Sequence, residues 1–537
     1  MDSETITSNK GYLSFVLHAH LPFINHPEYD YFFEENWLFQ AITESYIPTL
    51  QLLERLEKEG LDFSIVYSLS PTLLSMLDNS GLQERYLRHL DNLLLICEAE
   101  IKDPKVPEEQ VALSKYYKTQ FENCRAYFVQ YKANLIGRFV RLHKNKKLEL
   151  ITTTATHAVL PLYNSIPETI LAQLKVGKIV FEKFTGIDPE GLWLPECAYC
   201  KGLEDFIKKA GYKYTFLDTT SIEFASPNIE NNIYRITQAK NGVQFMARDP
   251  KSSHQVWSAE SGYPSDSDYR EYHKDLADDS DSPQIQQYIG YFRHRCQSGL
   301  KYWSVGEKNG KKLFYDPQKA SIKAKYHARE FMLDKRNQLR NLHQKDQEFL
   351  ITAPFDAELF GHWWHEGPIW LEEVIRIANR QGDFTLGKPS SSESSVNCLV
   401  EIQPEGATWG KNSSLEHWVN PTNDWIYPQL FQAVRQFQKI LSTQFQKEEV
   451  ISDELDRTLK QAARSLLLAQ SSDWAFMIRT GSSQKYAFKR VKDSLARFNF
   501  LAHSILNKDI PKRKLLALEI MDDIFPEIDY HLLSQTP

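Results

Sequence analysis

The stretch FLITAPFDAELFGHWWHEGP, residues 349–368, carries the reading of the whole chain. It opens on FLITA, an apolar run without polar alternation, as expected of a strand buried on both faces. An acid, Asp356, follows almost at once, and then a dense aromatic run with Phe360, Trp363 and Trp364. The same order recurs upstream. YLSFVL (12–17) leads to His18 and His20, LELIT (148–152) to Thr154 and His157, GLWL (191–194) to Glu196, and YTFL (214–217) to Asp218. FSIVY (63–67) is a further run of this kind. Between the runs lie amphipathic stretches at 37–59, 108–144, 167–184 and 317–344. Strand and helix in alternation predict an α/β fold with a parallel sheet and right-handed crossovers. Such sheets build their active sites just past the C-terminal strand ends. Polar residues after five separate strands therefore predict one shared site.

Composition closes off several classes. The chain has 537 residues, 42% of them apolar and 25% charged, an ordinary globular balance. Net charge is −7, so there is no basic field for gripping nucleic acid. No stretch is apolar enough for a membrane span, and MDSETITSNK at the start lacks a leader's apolar core. Six cysteines are too few for a disulfide framework, which predicts a cytoplasmic protein. Aromatic residues reach 12%, with several tryptophans beside polar residues, a composition suited to sugar binding.

The rhythm weakens at 220–309, a stretch rich in Ser, Asp and Tyr. We expect an insertion there over the active-site end of a catalytic unit spanning 1–385. GDFTLGKPSSSESS (382–395) reads as a loop, and 386–414 as a connecting segment that carries Trp409 within GATWGKN. Helical patterns at 451–470 and 487–505 predict a helical C-terminal domain over 415–537. The second puts Val491, Leu495, Phe498 and Leu501 on one face.

Glu196 and Asp356 are the candidate working pair. Glu196 is held by the rigid segment Trp193-Leu194-Pro195, whereas Asp356 precedes the aromatic run. Carboxylates in unlike surroundings have their pKa values driven apart, and glycoside hydrolysis uses such a pair as nucleophile and acid. His18, His20 and His157 admit two readings: three zinc ligands with an open position, or hydrogen-bonding partners of sugar hydroxyls. Cys197 and Cys200 have redox spacing but no thioredoxin-like context, and read as incidental. Trp409, in a polar Gly-flanked loop, suits stacking on a sugar. Trp474, in SSDWAFMI (471–478), suits stacking or packing equally.

These residues resemble glycoside hydrolase family 57. Its five short motifs can be followed in order as HAHLPF (18–23), LELITTTATHAVLPL (148–162), WLPECAY (193–199), APFDAELFGHWWHEGP (353–368) and SSDWAFMI (471–478). The resemblance runs from about residue 11 to 505. It implies an incomplete (β/α)7 barrel with an inserted region and a C-terminal helical domain. It also implies retaining chemistry on α-glucans without a metal or other cofactor, with Glu196 as nucleophile and Asp356 as general acid/base. NDWIYP (423–428) and FGHWWHEGP (360–368) look like the 1,4-α-glucan branching group.

By similarity to that group, Arg248, Ser265, Trp409 and Asp473 would meet the substrate. His18, His20, His157, Trp363 and Trp474 are further candidate substrate contacts on the reading of the residues themselves. Ser265 stands where the group has a glycine. A mobile loop with a tyrosine covers the site in branching members, yet here only Asp218 to Arg248 fill that interval, with Tyr234 its only tyrosine. The loop looks shortened, which favours water over a sugar acceptor. The expected function is therefore a branching enzyme with hydrolysis as a side or main activity. The alternatives are an α-amylase-like hydrolase, a zinc-dependent polysaccharide hydrolase or deacetylase, and a glycogen-binding protein with a dead site.

Overall fold

The computed structural model describes residues 11–258, 261–279, 298–308, 310–342, 348–388, 400–445 and 451–534. The N-terminal decapeptide and the serine run at 390–395 lie outside the described residues.

Seven parallel strands form a ring. They are β1 (Gly11–Ala19), β2 (Ile65–Leu69), β3 (Leu148–Ile151), β4 (Gly191–Leu192), β5 (Tyr214–Leu217), β6 (Gln244–Ala247) and β7 (Leu350–Asp356). One sheet runs β7-β1-β2-β3 and a second contains β6-β5-β4. Two single parallel bridges join them, Thr152 to Leu192 and Arg248 to Thr352. Trp193 N donates to Thr152 O at 2.8 Å, and Asp249 N donates to Thr352 O at 2.8 Å. The expected (β/α)7 barrel is thus present, with each seam between the sheets only one bridge wide.

Strand register sets the site. His18, near the end of β1, lies level with Asp356 of β7 on one side and Ser68 of β2 on the other. The strands are buried on both faces, which is why they read as apolar runs.

Several boundaries differ from the sequence reading. The stretch at 37–59 is interrupted by a π-helical turn, Ala41–Tyr46, whose first residue borders the cleft described below. Such turns frequently mark functional sites. The stretch at 108–144 is two helices, Glu108–Gln130 and Leu135–Lys144, separated where Lys132 and Ala133 take positive φ. Residues 220–309 contain β6, a strand of the ring itself. Its four residues, QFMA, are too short and too mixed to show a period.

Among the described residues, the chain from Ile426 onward is mainly helical. Helix Gln484–Asn507 packs against Asp453–Ala469, Ile426–Phe445 and Ser472–Thr480, with Val491, Leu495, Phe498 and Leu501 buried as the pattern predicts. Helix Ser472–Thr480 reaches back to the barrel, where Ser472 N donates to His157 O at 3.1 Å.

Candidate active site

A cleft of ≈ 520 Å³ lies at the C-terminal ends of the strands. Glu196, Asp356, His20, His157 and Asp473 all line it. Residues from β1, β3, β4, β7 and the C-terminal helices thus meet in one place, as the strand-end rule predicts.

Glu196 follows β4 on a tight turn with φ of +61°, and Cys197 has φ of +47°. Neither is glycine, so the backbone is held in a sparsely populated region, a form of strain that clusters at active sites. The turn aims the carboxylate at two donors. Trp409 Nε1 donates to Oε2 at 2.8 Å, and Ser472 Oγ donates to Oε1 at 3.3 Å. Trp409 N also donates to Glu196 O at 3.0 Å, which fixes the Gly-flanked loop against the nucleophile turn. Burial raises the Glu196 pKa to about 7, with Asp356 and Asp473 adding to the rise and the Trp409 N–H opposing it.

Asp356 is the last residue of β7. Burial, then the charges of Glu358 and Asp473, push its pKa well above the usual carboxylate range, against the pull of Arg248. Asp356 is therefore suited to hold a proton at neutral pH, while Glu196 has donors arranged for its ionised form. Unlike environments separate the two roles.

The histidines form a stack. His20 lies on His157 at 3.9 Å between ring centroids, and His18 lies on Trp193 at 4.7 Å. His20 Nε2 meets Asp473 Oδ2 at 3.0 Å. Burial raises the Asp473 pKa, but His20, His157 and Ser471 outweigh it and hold the carboxyl down at about 2. His20, His157 and Asp473 come close enough to surround an ion, but His18 does not join them. Both ring nitrogens of His157 are already engaged, with His18 Nε2 at 3.0 Å and Ser472 Oγ at 2.8 Å. A metal would have to displace those bonds. The donor set His18, His20 and His157 of the zinc reading is therefore not assembled.

The remaining sequence candidates divide. Trp363 is 38% exposed in the cleft and faces Trp257, itself 36% exposed, at 5.8 Å between ring centroids. Arg248 lies behind Trp409, with its guanidinium 5.4 Å from the indole centroid and 3.8 Å from Asp218. Ser265 is not among the cleft-lining residues. Its hydroxyl donates to Gly262 O at 2.8 Å, on a turn whose Tyr263 stacks on His327 of helix Pro317–Asn341. Trp474 is 1% exposed, and its N–H donates to Leu468 O at 2.8 Å. It is a core residue, because its helix turns the indole inward against Tyr486 and Arg490.

Sequence reasoning missed Glu358, Trp37, Trp257 and Tyr272, all of which line the cleft. Glu358 is buried; it accepts from the Tyr46 hydroxyl and from His20 N, and its pKa is raised by burial to about 7. Its signal was its place two residues after Asp356. Tyr234, the tyrosine of the shortened interval, is turned away, with its hydroxyl accepting from Gln338 of helix Pro317–Asn341 at 3.0 Å.

The loop after Asp356 depends on one glycine. Gly361 has φ of +102°, and a Cβ there would fall 1.9 Å from Glu44 O. Only glycine allows this close approach. It seats His362, whose Nδ1 meets Glu44 at 2.8 Å, and so presents Trp363.

The family model for glycosyl hydrolase family 57 matches residues 14–314. The chain belongs to this family. A second model, for the C-terminal part of 1,4-alpha-glucan branching enzymes, matches residues 429–532. Among the family 57 relatives, the 1,4-alpha-glucan branching enzyme of Thermococcus kodakarensis is 33% identical over 530 residues, covering 93% of this chain and 74% of that protein. Two solved structures are similar throughout. The alpha-amylase AmyC from Thermotoga maritima has a TM-score of 0.90 at 36% identity, covering 98% of this chain and 100% of that one. The branching enzyme of the family 57 type from Pyrococcus horikoshii has a TM-score of 0.87 at 30% identity, covering 98% and 97%.

Proposed function

We propose that the chain is a retaining α-1,4-glucan branching enzyme. One observation carries this reading: two half-buried carboxylates at the ends of β4 and β7 stand in opposed environments, Glu196 facing two donors and Asp356 facing other acids. The match to the branching-enzyme C-terminal model supports the transfer step over hydrolysis alone.

Glu196 attacks the anomeric carbon of an α-1,4-linked glucose, while Asp356 gives its proton to the departing 4-oxygen. The glucan is left esterified to Glu196. Asp356, now ionised, takes the proton of an incoming glucan 6-hydroxyl, whose oxygen displaces Glu196. An α-1,6 bond forms, and two inversions restore the configuration. Trp363 and Trp257 offer faces to the sugar rings, Trp409 holds the Glu196 carboxylate, and His20 and Asp473 offer polar groups to hydroxyls. The substrate is an amylose-, glycogen- or starch-like chain.

Water is a second acceptor for the same ester, and one feature favours it. Residues between Asp218 and Arg248 form helix Thr219–Glu223, the short strand Thr237–Gln238 and β6, and none of them lines the cleft. An α-amylase-like outlet therefore accompanies branching.

Among the described residues no helix is long and apolar enough to cross a membrane. The cytoplasmic reading rests on the free cysteines Cys97, Cys124, Cys197 and Cys200.

The retaining step is tested by trapping. A fluorinated glucosyl substrate should leave a sugar ester on the peptide containing Glu196, read by mass spectrometry. An ester on another residue, or inverted product with no ester, would overturn the assignment.

A further inference from the structure

A continuous line of hydrogen bonds runs from the barrel wall to Glu196. Ser68 Oγ meets His18 Nδ1 at 3.0 Å, and His18 Nε2 meets His157 Nε2 at 3.0 Å. His157 Nδ1 meets Ser472 Oγ at 2.8 Å, and Ser472 Oγ reaches Glu196 Oε1 at 3.3 Å. Ser68, His18, His157 and Ser472 are all buried. Burial holds both imidazoles well below their ordinary pKa, with His157 beside His18 and His20 beside His157 adding to the effect. Both rings are therefore neutral, each with one donor and one acceptor nitrogen.

Neutrality leaves the line only two self-consistent arrangements. In the first, Ser68 donates to His18 Nδ1, His18 Nε2–H donates to His157, and His157 Nδ1–H donates to Ser472. The one hydrogen of Ser472 then points at Glu196, which suits a carboxylate. In the second, every bond is reversed. His18 Nδ1–H donates to Ser68, Ser472 donates to His157, and Glu196 can complete the line only as a protonated acid. The two arrangements thus match the two protonation states of Glu196.

Ser68 breaks the tie. Among the described residues its hydroxyl has no hydrogen-bond partner but His18. In the second arrangement its own hydrogen would be buried without an acceptor, which is costly. In the first it is satisfied. We propose that Ser68 is a positioning residue of the nucleophile: acting through His18, His157 and Ser472, it favours the histidine tautomers that aim a hydrogen at Glu196 and so keep it ready to attack. Ser68 belongs to the strand wall and is not among the residues lining the cleft.

Other charges around Glu196 are the acids Asp356, Glu358 and Asp473, the imidazoles of His20 and His157, and Arg248 behind Trp409. Ser68→Ala leaves all of these in place and removes only the tie-break. The proposal rests on Glu196 being the attacking group, and the two fail differently. If Glu196 is not the nucleophile, Glu196→Gln turns over; if the relay is wrong, only the results below change.

The test is the pH profile of kcat/KM on amylose for the wild type, Ser68→Ala and Ser68→Thr. Ser68→Ala should move the acid limb up by about one pH unit, the size of one unsatisfied buried hydroxyl. Ser68→Thr, which restores a hydroxyl, should return it. An acid limb left in place in a folded Ser68→Ala enzyme overturns the proposal. A second measurement needs no variant. Neutron diffraction from the wild type above its acid limb should place hydrogens on His18 Nε2 and His157 Nδ1; the reverse pair overturns it.

Discussion

Replacing Trp409 by Phe removes one hydrogen bond and keeps a ring in place. The indole N–H lies 2.8 Å from Glu196 Oε2, and the ring packs at 5.1 Å from Trp193 between centroids. A hydrogen bond to a charged group contributes about 1.5–3 kcal/mol, and one pKa unit corresponds to about 1.4 kcal/mol. Loss of this bond should therefore raise the Glu196 pKa by about one to two units. The starting value is about 7. At neutral pH the ionised fraction should fall from about one half to between about a tenth and a hundredth. The kcat/KM on amylose at neutral pH should drop about 5- to 50-fold, and the loss should shrink as pH rises. The assay is the full pH profile of kcat/KM for both proteins. An equal loss at every pH would mean that Trp409 acts only by stacking on sugar, and the argument from the N–H would be wrong.

Other expectations can be checked directly. Glu196→Gln should retain the fold by circular dichroism and lose several powers of ten in turnover, since the amide cannot form the ester; near-normal rates would remove Glu196 from this role. Exhaustive chelation should leave the rate unchanged because His157 is spent on His18 and Ser472, and zinc required in stoichiometric amount would contradict that. Phe498→Ala empties a fully buried position against Phe437 and should cost about 3–5 kcal/mol in denaturant unfolding, where a loss below 1 kcal/mol would place the helix outside the core. Asp356→Asn should spare binding of glucan while abolishing turnover of unactivated substrates, and unchanged turnover would disqualify it as the acid.

Much of this was legible because five of the seven barrel strands are both apolar and followed by a chemical group. β1, β3, β4, β5 and β7 could be read in that way, and Glu196 and Asp356 with them. β6 could not, because four residues show no period and the ring, not the local sequence, completes it. The Gly-flanked loop already marked Trp409 as a stacking candidate, whereas Trp474 stood open between stacking and packing. Three dimensions decide it, where one indole N–H finds Glu196 and the other finds Leu468 O. Ser68 was invisible for a related reason. A serine inside an apolar strand signals nothing until the register sets it beside His18. The left-handed backbone of Glu196 likewise leaves no trace in its composition, since nothing in WLPECAY announces positive φ at a glutamate.

The central claim is transfer of the glucan from Glu196 to a sugar hydroxyl. It is tested most directly by incubating the protein with amylose and counting new α-1,6 linkages and new reducing ends in the same reaction. The account predicts that both appear, with α-1,6 linkages as a genuine product and reducing ends above the number expected of an enzyme that excludes water. Reducing ends alone, with no α-1,6 linkage formed, would contradict it and make the protein a hydrolase.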